Sequence, residues 1–140
     1  MTAERSTARA SAAGDEEAIR AAIDDYYLGW FDADVTRVAR SLHPELAKRG
    51  WLRERDGGAF LDDDSFDTMT RLAAAGHGRS VDPQERAYRV SVVDIDVDIA
   101  AASVHTLRAV DYLHLVRTGT GWRIVNALWR GTADEARWRW

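Results

Sequence analysis

Two runs of strand-forming residues close to the C-terminus constrain the fold of this chain more than any other feature. They cover residues 110–118 and 122–129, and a Gly-Thr-Gly connection allows the positive φ that a tight hairpin needs. Both runs carry apolar residues at odd and even positions, so we expect both faces of this β-hairpin to be covered. The chain's helices can cover one face, which leaves the other for a partner subunit or the C-terminal tail.

The composition indicates one globular domain and excludes several kinds of function. A chain of 140 residues buries about 65–70% of its unfolded surface, enough for a core of its own. The net charge of −4 argues against nucleic acid as the main partner. The absence of cysteine excludes disulfides and thiolate metal sites, and we expect no cofactor. No apolar run approaches the roughly 20 residues that span a bilayer, so we expect no membrane contact and a cytoplasmic location.

The N-terminal part of the sequence predicts helices. Residues 1–14 lack apolar periodicity and are predicted to be a disordered leader, residues 132–140 a C-terminal tail, and residues 15–131 the folded domain. A long first helix is predicted to begin at Asp15, an N-cap residue type. Helical spacing points one sector of this helix inward, with Tyr27 at its edge; the sector comprises Ile19, Ile23, Tyr26 and Trp30.

Shorter elements are predicted to follow. A second helix over residues 35–42 is ended by His43 and Pro44, because the residue before proline avoids helical angles. Residues 45–54 and the turn at 56–58 suggest a short, irregular hairpin. The run Asp62-Asp63-Asp64-Ser65 supplies the cap candidates of a predicted third helix, and its three carboxylates are expected to form a solvated cap rather than a metal site.

The second half of the sequence predicts strands. Residues 88–99 alternate valine or isoleucine with aspartate, which is typical of one half-buried strand with a solvated acidic face. Residues 100–107 supply another strand, and the opening hairpin adds two more. Four histidines without ligand spacing make a poor metal site. The order of elements predicts an α+β domain with helices packed on one face of an antiparallel sheet.

Several segments resemble the nuclear transport factor 2-like superfamily, and specifically the group called putative lumazine-binding proteins. They are YYLGWFDAD, SLHPEL, SVVDIDVD and VDYLHLVRTGTGWRIVNALW, and the resemblance extends from about residue 16 to residue 129. It implies a cone-shaped fold, in which N-terminal helices pack on a curved antiparallel sheet that encloses a cavity. It also implies a homodimer through the outer sheet face.

Similarity to the steroid isomerase branch of this superfamily implies two hydrogen-bond donors for a developing oxyanion. Tyr26 aligns with the tyrosine donor and Asp111 with the protonated aspartate, whose pKa desolvation beside Leu113 is expected to raise. The position of the carboxylate base aligns near Gly50, which cannot accept a proton. His43, at the end of the second helix, is the remaining candidate base.

Each candidate also has a structural interpretation. Asp111 could be a structural acid satisfied by the backbone or by Tyr26, and His43 could cap the last carbonyls of its helix. His114 has the opposite parity to Asp111 and is expected on the outer sheet face. Trp138 and Trp140 in the tail are expected to pack on that face or on a partner subunit.

Two functional hypotheses follow. In the first, the cavity binds a small apolar or aromatic molecule, and the predicted ligand-binding residues are Tyr26, Tyr27, Trp30, His43, Trp51, Asp111, Leu113 and Trp129. In the second, the protein is an enzyme of the isomerase, cyclase or dehydratase type. Its catalytic candidates are Tyr26 and Asp111 as oxyanion donors and His43 as the base. An association module is a third possibility, which only the apolar outer face supports.

Overall fold

The computed structural model of the chain describes residues 2–131, with side chains described from residue 13 onward. The three α-helices are α1 (Thr2–Asp32), α2 (Val35–Ser41) and α3 (Phe66–Ala74). The six strands are β1 (Leu42–Arg53), β2 (Ala59–Asp64), β3 (Tyr88–Asp96), β4 (Ile99–Thr106), β5 (Ala109–Thr118) and β6 (Gly121–Gly131). Two 3₁₀ helices, His77–Ser80 and Pro83–Glu85, connect α3 to β3.

Helix α1 starts earlier than predicted. Its backbone is helical from Thr2, so the predicted start at Asp15 is wrong. Asp15 lies inside the helix, where its carboxylate accepts hydrogen bonds from Arg117 at 3.3 Å and from the indole of Trp122 at 3.4 Å. It therefore ties α1 to the hairpin instead of capping a helix. The proposed limits of leader, domain and tail stay predictions.

Two ion pairs hold helix α2 against α1. Asp34 caps it by accepting from the Arg37 backbone N–H at 3.2 Å. The Asp25 carboxylate on α1 accepts from Arg37 at 3.0 Å and from Arg40 at 2.9 Å. Helix α2 ends before His43 and Pro44, as predicted, and β1 begins directly at Leu42.

The six strands form one sheet in the order β2-β1-β6-β5-β4-β3. The four C-terminal strands pair antiparallel, as predicted, and β1 and β2 form the predicted N-terminal hairpin. Strand β1, however, pairs parallel to β6, with Gly50 opposite Trp129, so the sheet is mixed rather than purely antiparallel. The helices pack on one face, and the fold is the predicted α+β cone.

The acidic run belongs to a strand. Of the four predicted cap candidates, Asp62, Asp63 and Asp64 lie in β2 and do not cap α3. Ser65 is the cap, and its hydroxyl accepts from the Thr68 backbone N–H at 3.2 Å. Among the side chains described, those of residues 13–131, no group of three or more histidine, aspartate or glutamate residues is placed to hold a metal ion. None of the helices described here is long and apolar enough to cross a membrane.

The strand predicted over residues 88–99 ends at Asp96, and the next strand begins at Ile99, one residue before its predicted start. A two-residue turn at Val97 and Asp98 separates β3 from β4, with Asp96 paired to Ile99. Val97 has φ +55°, a left-handed angle that is unfavourable for a β-branched residue, and its side chain is 71% exposed. The turn therefore stores backbone strain that no burial of Val97 offsets.

We expect Val97→Gly to stabilise the protein. Relief of the left-handed angle, less the added entropy of the unfolded chain, should leave a gain of about 0.5–1 kcal/mol. The check is the midpoint of urea unfolding at unchanged slope. Val93→Gly is the control, because Val93 is similarly exposed on β3 but has no positive φ, and it should destabilise. A less stable Val97→Gly protein would contradict the strained turn.

The two sheet faces differ in composition. The inner face and α1 form the main core, which includes the fully buried Ile19, Ile23 and Leu113. A β-bulge at Val125 changes the parity of β6, so Trp129 shares the inner face with Ala127 and Ile124 rather than with Val125. Large side chains remain exposed on the outer face: Trp51, Leu61, Tyr112 and Leu128. Trp138 and Trp140 lie outside the described residues.

Candidate functional site

A cavity of about 90 Å³ lies between α1 and the inner face of the sheet. It is bounded by α1, by β1, β5 and β6, and by the segment that holds the 3₁₀ helices. Its walls are mainly aromatic and apolar, and its lining residues are Tyr26, Tyr27, Trp30, Phe31, Lys48, Val81, Glu85, Thr106, Arg108, Ala109, Asp111 and Trp129. A volume of this size corresponds to about three water molecules.

The first polar pair in this cavity is Tyr27 and Asp111. Both side chains are buried, and the Tyr27 hydroxyl donates a short hydrogen bond to Asp111 Oδ2. Burial raises the pKa of Asp111, and this outweighs the opposing effects of Lys48 and of the Tyr27 hydrogen bond. Burial and the charge of Asp111 hold the pKa of Tyr27 well above its usual range. Tyr27 is therefore a neutral donor.

The second polar pair is Lys48 and Tyr26. Lys48 Nζ donates a short hydrogen bond to the Tyr26 hydroxyl and lies 5.1 Å from the centroid of that ring. The same ammonium is 5.9 Å from the Trp129 ring. Burial raises the pKa of Tyr26 although Lys48 opposes the shift. Because the Tyr26 oxygen accepts from Lys48, its own proton is available for another acceptor.

Burial alone would lower the pKa of Lys48. Tyr26, Asp111 and Asp64 together outweigh that effect and raise the pKa above its ordinary value. Lys48 is therefore an ammonium ion at neutral pH. The cavity thus combines a cation, a tyrosine hydroxyl with a free proton and an acid of raised pKa, all beside aromatic rings.

The mouth of the cavity is closed on one side by an ion pair. Arg108, in the β4–β5 connection, lies 2.6 Å from the carboxylate of Glu85 in the second 3₁₀ helix. The Thr106 hydroxyl accepts from the backbone N–H groups of Arg108 and Ala109 and so shapes this connection. Both charged side chains line the cavity.

Comparison with known proteins places the chain in a family. A family model described as "Putative lumazine-binding" matches residues 14–130. The chain belongs to this family. No curated protein matches this chain.

Solved structures similar to this family member share its fold. A nuclear transport factor 2-like protein of unknown function from Silicibacter pomeroyi is 20% identical with a TM-score of 0.69, covering 86% of this chain and 98% of that one. A nuclear transport factor 2-like protein with a cystatin-like fold from Novosphingobium aromaticivorans is 16% identical, with a TM-score of 0.64 and coverage of 94% and 90%. A ketosteroid isomerase-like protein from Erwinia carotovora atroseptica is 17% identical, with a TM-score of 0.58 and coverage of 84% and 96%. At these identities the likeness establishes the fold alone.

The structure brings together five of the predicted ligand-binding residues. Tyr26, Tyr27, Trp30, Asp111 and Trp129 all line the cavity. Their pairing differs from the prediction, because Tyr27 rather than Tyr26 donates to Asp111. Tyr26 instead accepts from Lys48.

Three predicted residues lie elsewhere. His43 is not among the residues that line the cavity, and its Nδ1 accepts from the Glu45 backbone N–H at 3.0 Å. Trp51 is 45% exposed on the outer face and does not line the cavity. Leu113 is buried in the main core rather than in the cavity wall.

Gly50, where the isomerase base was expected, is covered by Trp129. A Cβ at this position would lie 2.7 Å from two carbon atoms of the Trp129 ring. A side chain therefore cannot occupy this position unless the indole moves. Trp129 fills the space that a base would need.

Sequence reasoning missed the charged residues of the cavity. Lys48, Glu85 and Arg108 line it, and none was a candidate. One signal was present: Lys48 is the only lysine in the chain, and every other residue among the 19 basic ones is arginine. A single lysine does not by itself predict a site. Its ammonium group is, however, a compact cation, and the planar guanidinium of arginine could not replace it with the same geometry.

We expect Asp111→Asn to be more stable than the wild type at neutral pH. Because burial raises the pKa of Asp111 in the folded protein, the folded state holds this proton more tightly than the unfolded chain does. Wild-type stability should therefore fall as the pH rises from about 4, the ordinary aspartate pKa, through the raised pKa. Asparagine does not ionise and can still accept from Tyr27. The test is to measure the melting temperatures of both proteins between about pH 4 and pH 8. If the difference in melting temperature between the variant and the wild type did not increase with pH, the prediction would be contradicted.

Proposed function

We propose that this protein binds a small, largely apolar or aromatic molecule in the cavity, with a polar group of that molecule held by Tyr26, Lys48 and Asp111. One observation carries the proposal: a buried polar pair, Tyr27 with Asp111, and a partly buried one, Lys48 with Tyr26, lie in one cavity whose other walls are aromatic and aliphatic. Convergent polar groups in an apolar pocket are the usual composition of a small-molecule site. The family description is consistent with such a ligand.

The cavity volume restricts the ligand. At about 90 Å³ the cavity is well below the roughly 300–1,000 Å³ of sites for drug-sized molecules. A single-ring compound is the best match, and a bicyclic one requires the mouth to widen at the Arg108–Glu85 ion pair. The proposal therefore predicts a preference for compact ligands.

Binding is better supported than catalysis of the isomerase, cyclase or dehydratase type. Tyr26 and Asp111 could donate to an oxyanion, but His43 lies away from the cavity and Gly50 has no side chain. The two acids that line the cavity are engaged, Asp111 by Tyr27 and Glu85 by Arg108. Neither of the two predicted base positions, His43 and Gly50, supplies a proton acceptor to the cavity.

A thermal-shift screen tests the proposal. The compounds are single-ring aromatics, polyketide-like molecules, pterins and flavins, and the proteins are wild type, Asp111→Asn and Tyr112→Phe. A ligand at a hundredfold its dissociation constant should add about 2.7 kcal/mol of stability. The gain should shrink in Asp111→Asn and persist in Tyr112→Phe, because Tyr112 lies exposed on the outer face. If no compound raised the melting temperature of any of the three proteins, the proposal would be contradicted.

We also propose a homodimer through the outer sheet face, and a cytoplasmic location. The face exposes a cluster of apolar side chains, among which Tyr112 is 59% and Leu128 49% exposed, and clusters of this kind commonly mark contact sites. Leu128→Asp should convert a dimer to a monomer in sedimentation experiments, whereas Arg71→Asp, at an exposed position of α3, should not. A wild type that sediments as a monomer would contradict the dimer.

A further inference from the structure

We propose that the ligand is an anion, a carboxylate or an equally acidic ring hydroxyl, held by Lys48 Nζ and the Tyr26 hydroxyl at the inner end of the cavity. This inference deepens the proposed function and rests on it, because it assigns the charge of the molecule that the cavity binds. It makes Lys48 the residue that determines specificity.

The first argument is the missing counter-ion of Lys48. The other cation that lines the cavity, Arg108, lies 2.6 Å from Glu85. Arg37 and Arg40, which join the helices, both pair with Asp25. Within the described residues, Lys48 has no carboxylate within 4.0 Å, and its hydrogen-bond partner is a phenol.

The second argument concerns the acids closest to Lys48. Asp111 and Asp64 raise the pKa of Lys48 through space, but among the described residues neither carboxylate lies within 4.0 Å of the Lys48 ammonium. Asp111 is also already bonded by Tyr27. A cation held away from water gains most from a partner in direct contact. The position in direct contact with the Lys48 ammonium is therefore available to a ligand.

The third argument is the match of donors. Lys48 has three N–H donors, of which Tyr26 receives one, and Tyr26 has its own O–H to donate. Two donors that converge from one residue pair suit the two oxygens of a carboxylate. The Tyr26 and Trp129 rings beside Nζ then provide the wall for a flat apolar body.

The test compares benzoate with benzamide, which have nearly the same shape and differ in charge. Titration calorimetry on the full chain should show that the wild type binds benzoate about tenfold or more tightly than benzamide. Lys48→Met should reduce that ratio to near one. Arg49→Met is the matched control, because Arg49 is the neighbouring residue on β1, points to the outer face and is 52% exposed. It should keep the wild-type ratio.

A second experiment measures chemical modification of Lys48 and needs only the wild-type protein. Since Lys48 is the only lysine, cyanate, a reagent small enough for the cavity, carbamylates one side-chain amine, and peptide mapping separates it from the N-terminal amine. Benzoate should slow modification of Lys48 severalfold, and benzamide should not.

The outcomes separate the two proposals. Equal affinity for benzoate and benzamide would contradict the proposal that the ligand is an anion, and so would a ratio of the two affinities that is unchanged in Lys48→Met. Neither result would contradict the proposal that the cavity binds a small molecule. The same holds if neither probe binds but a neutral compound from the thermal-shift screen does. If neither probe binds and the screen is silent, both proposals fail.

Discussion

Gly78→Ala should be the most damaging single-methyl addition in this protein. Gly78 is buried in the first 3₁₀ helix, directly against the C-terminal end of α1. A Cβ there would lie 1.9 Å from the Trp30 carbonyl oxygen and 2.5 Å from its carbonyl carbon. Both are backbone atoms, so no side-chain rotation relieves the clash, and α1 and the 3₁₀ helix would have to separate. We expect a loss of about 3 kcal/mol or more, the upper end of overpacking costs.

The same change should also disturb the cavity, because Trp30 forms part of its wall. Urea unfolding gives the stability, and the thermal shift with a cavity ligand gives the effect on binding. Gly119→Ala is the control, because a Cβ at Gly119 meets nothing within 4 Å. It should be neutral or add up to about 1 kcal/mol. A Gly78→Ala protein of wild-type stability would show that this close approach of the two helices is wrong.

Tyr27→Phe should cost about 1–3 kcal/mol although it removes one oxygen atom, because it leaves the buried Asp111 carboxyl without its donor. The ring itself should stay in place, because it stacks on Tyr88 with centroids 4.8 Å apart. The Tyr88 hydroxyl holds that partner by donating to Asp24 at 2.6 Å. The predicted loss therefore belongs to the Tyr27–Asp111 hydrogen bond.

A double-mutant cycle measures this assignment. In the Asp111→Asn background, Tyr27→Phe should cost less, because a neutral amide is less expensive to leave unpaired than a carboxylate. Tyr112→Phe is the matched control on the outer face and should stay within about 0.5 kcal/mol of the wild type. Equal losses in both backgrounds would mean that Tyr27 stabilises the fold independently of Asp111.

Local periodicity was sufficient for most of the fold. The helical spacing of Ile19, Ile23 and Tyr26 correctly predicted the inward face of α1, and glycine correctly marked the β5–β6 turn. The boundary between β3 and β4 was predicted after residue 99 rather than at Val97 and Asp98, because a two-residue hairpin loop preserves the alternation of apolar and acidic residues, and Val97-Asp98 carries no turn-forming glycine or asparagine. The parallel pairing of β1 with β6 joins segments far apart in sequence, which no local pattern encodes.

The site was predictable only in part, for a related reason. Strand parity correctly placed Asp111 inside the cavity. Tyr26 and Tyr27 are adjacent on α1, so the rotation of the helix against the sheet decides which of them meets Asp111, and periodicity does not resolve that rotation. Lys48 reaches the cavity only because β1 pairs with β6. The expected position of His43 was wrong because the start of β1 lies at the opposite end of that pairing from Gly50.

The central claim, that the cavity is a small-molecule site, is tested most directly by its tyrosines. The chain contains four: Tyr26 and Tyr27 line the cavity, Tyr88 stacks on Tyr27, and Tyr112 lies on the outer face. Protein labelled with ¹³C in the tyrosine rings therefore gives four assignable NMR environments, one of which is an internal control. Titration with the tightest compound from the screen should shift the Tyr26 and Tyr27 signals, move Tyr88 less and leave Tyr112 unchanged. A titration that shifts Tyr112 alone, or that leaves Tyr26 and Tyr27 in place while the ligand stabilises the protein, would contradict the account.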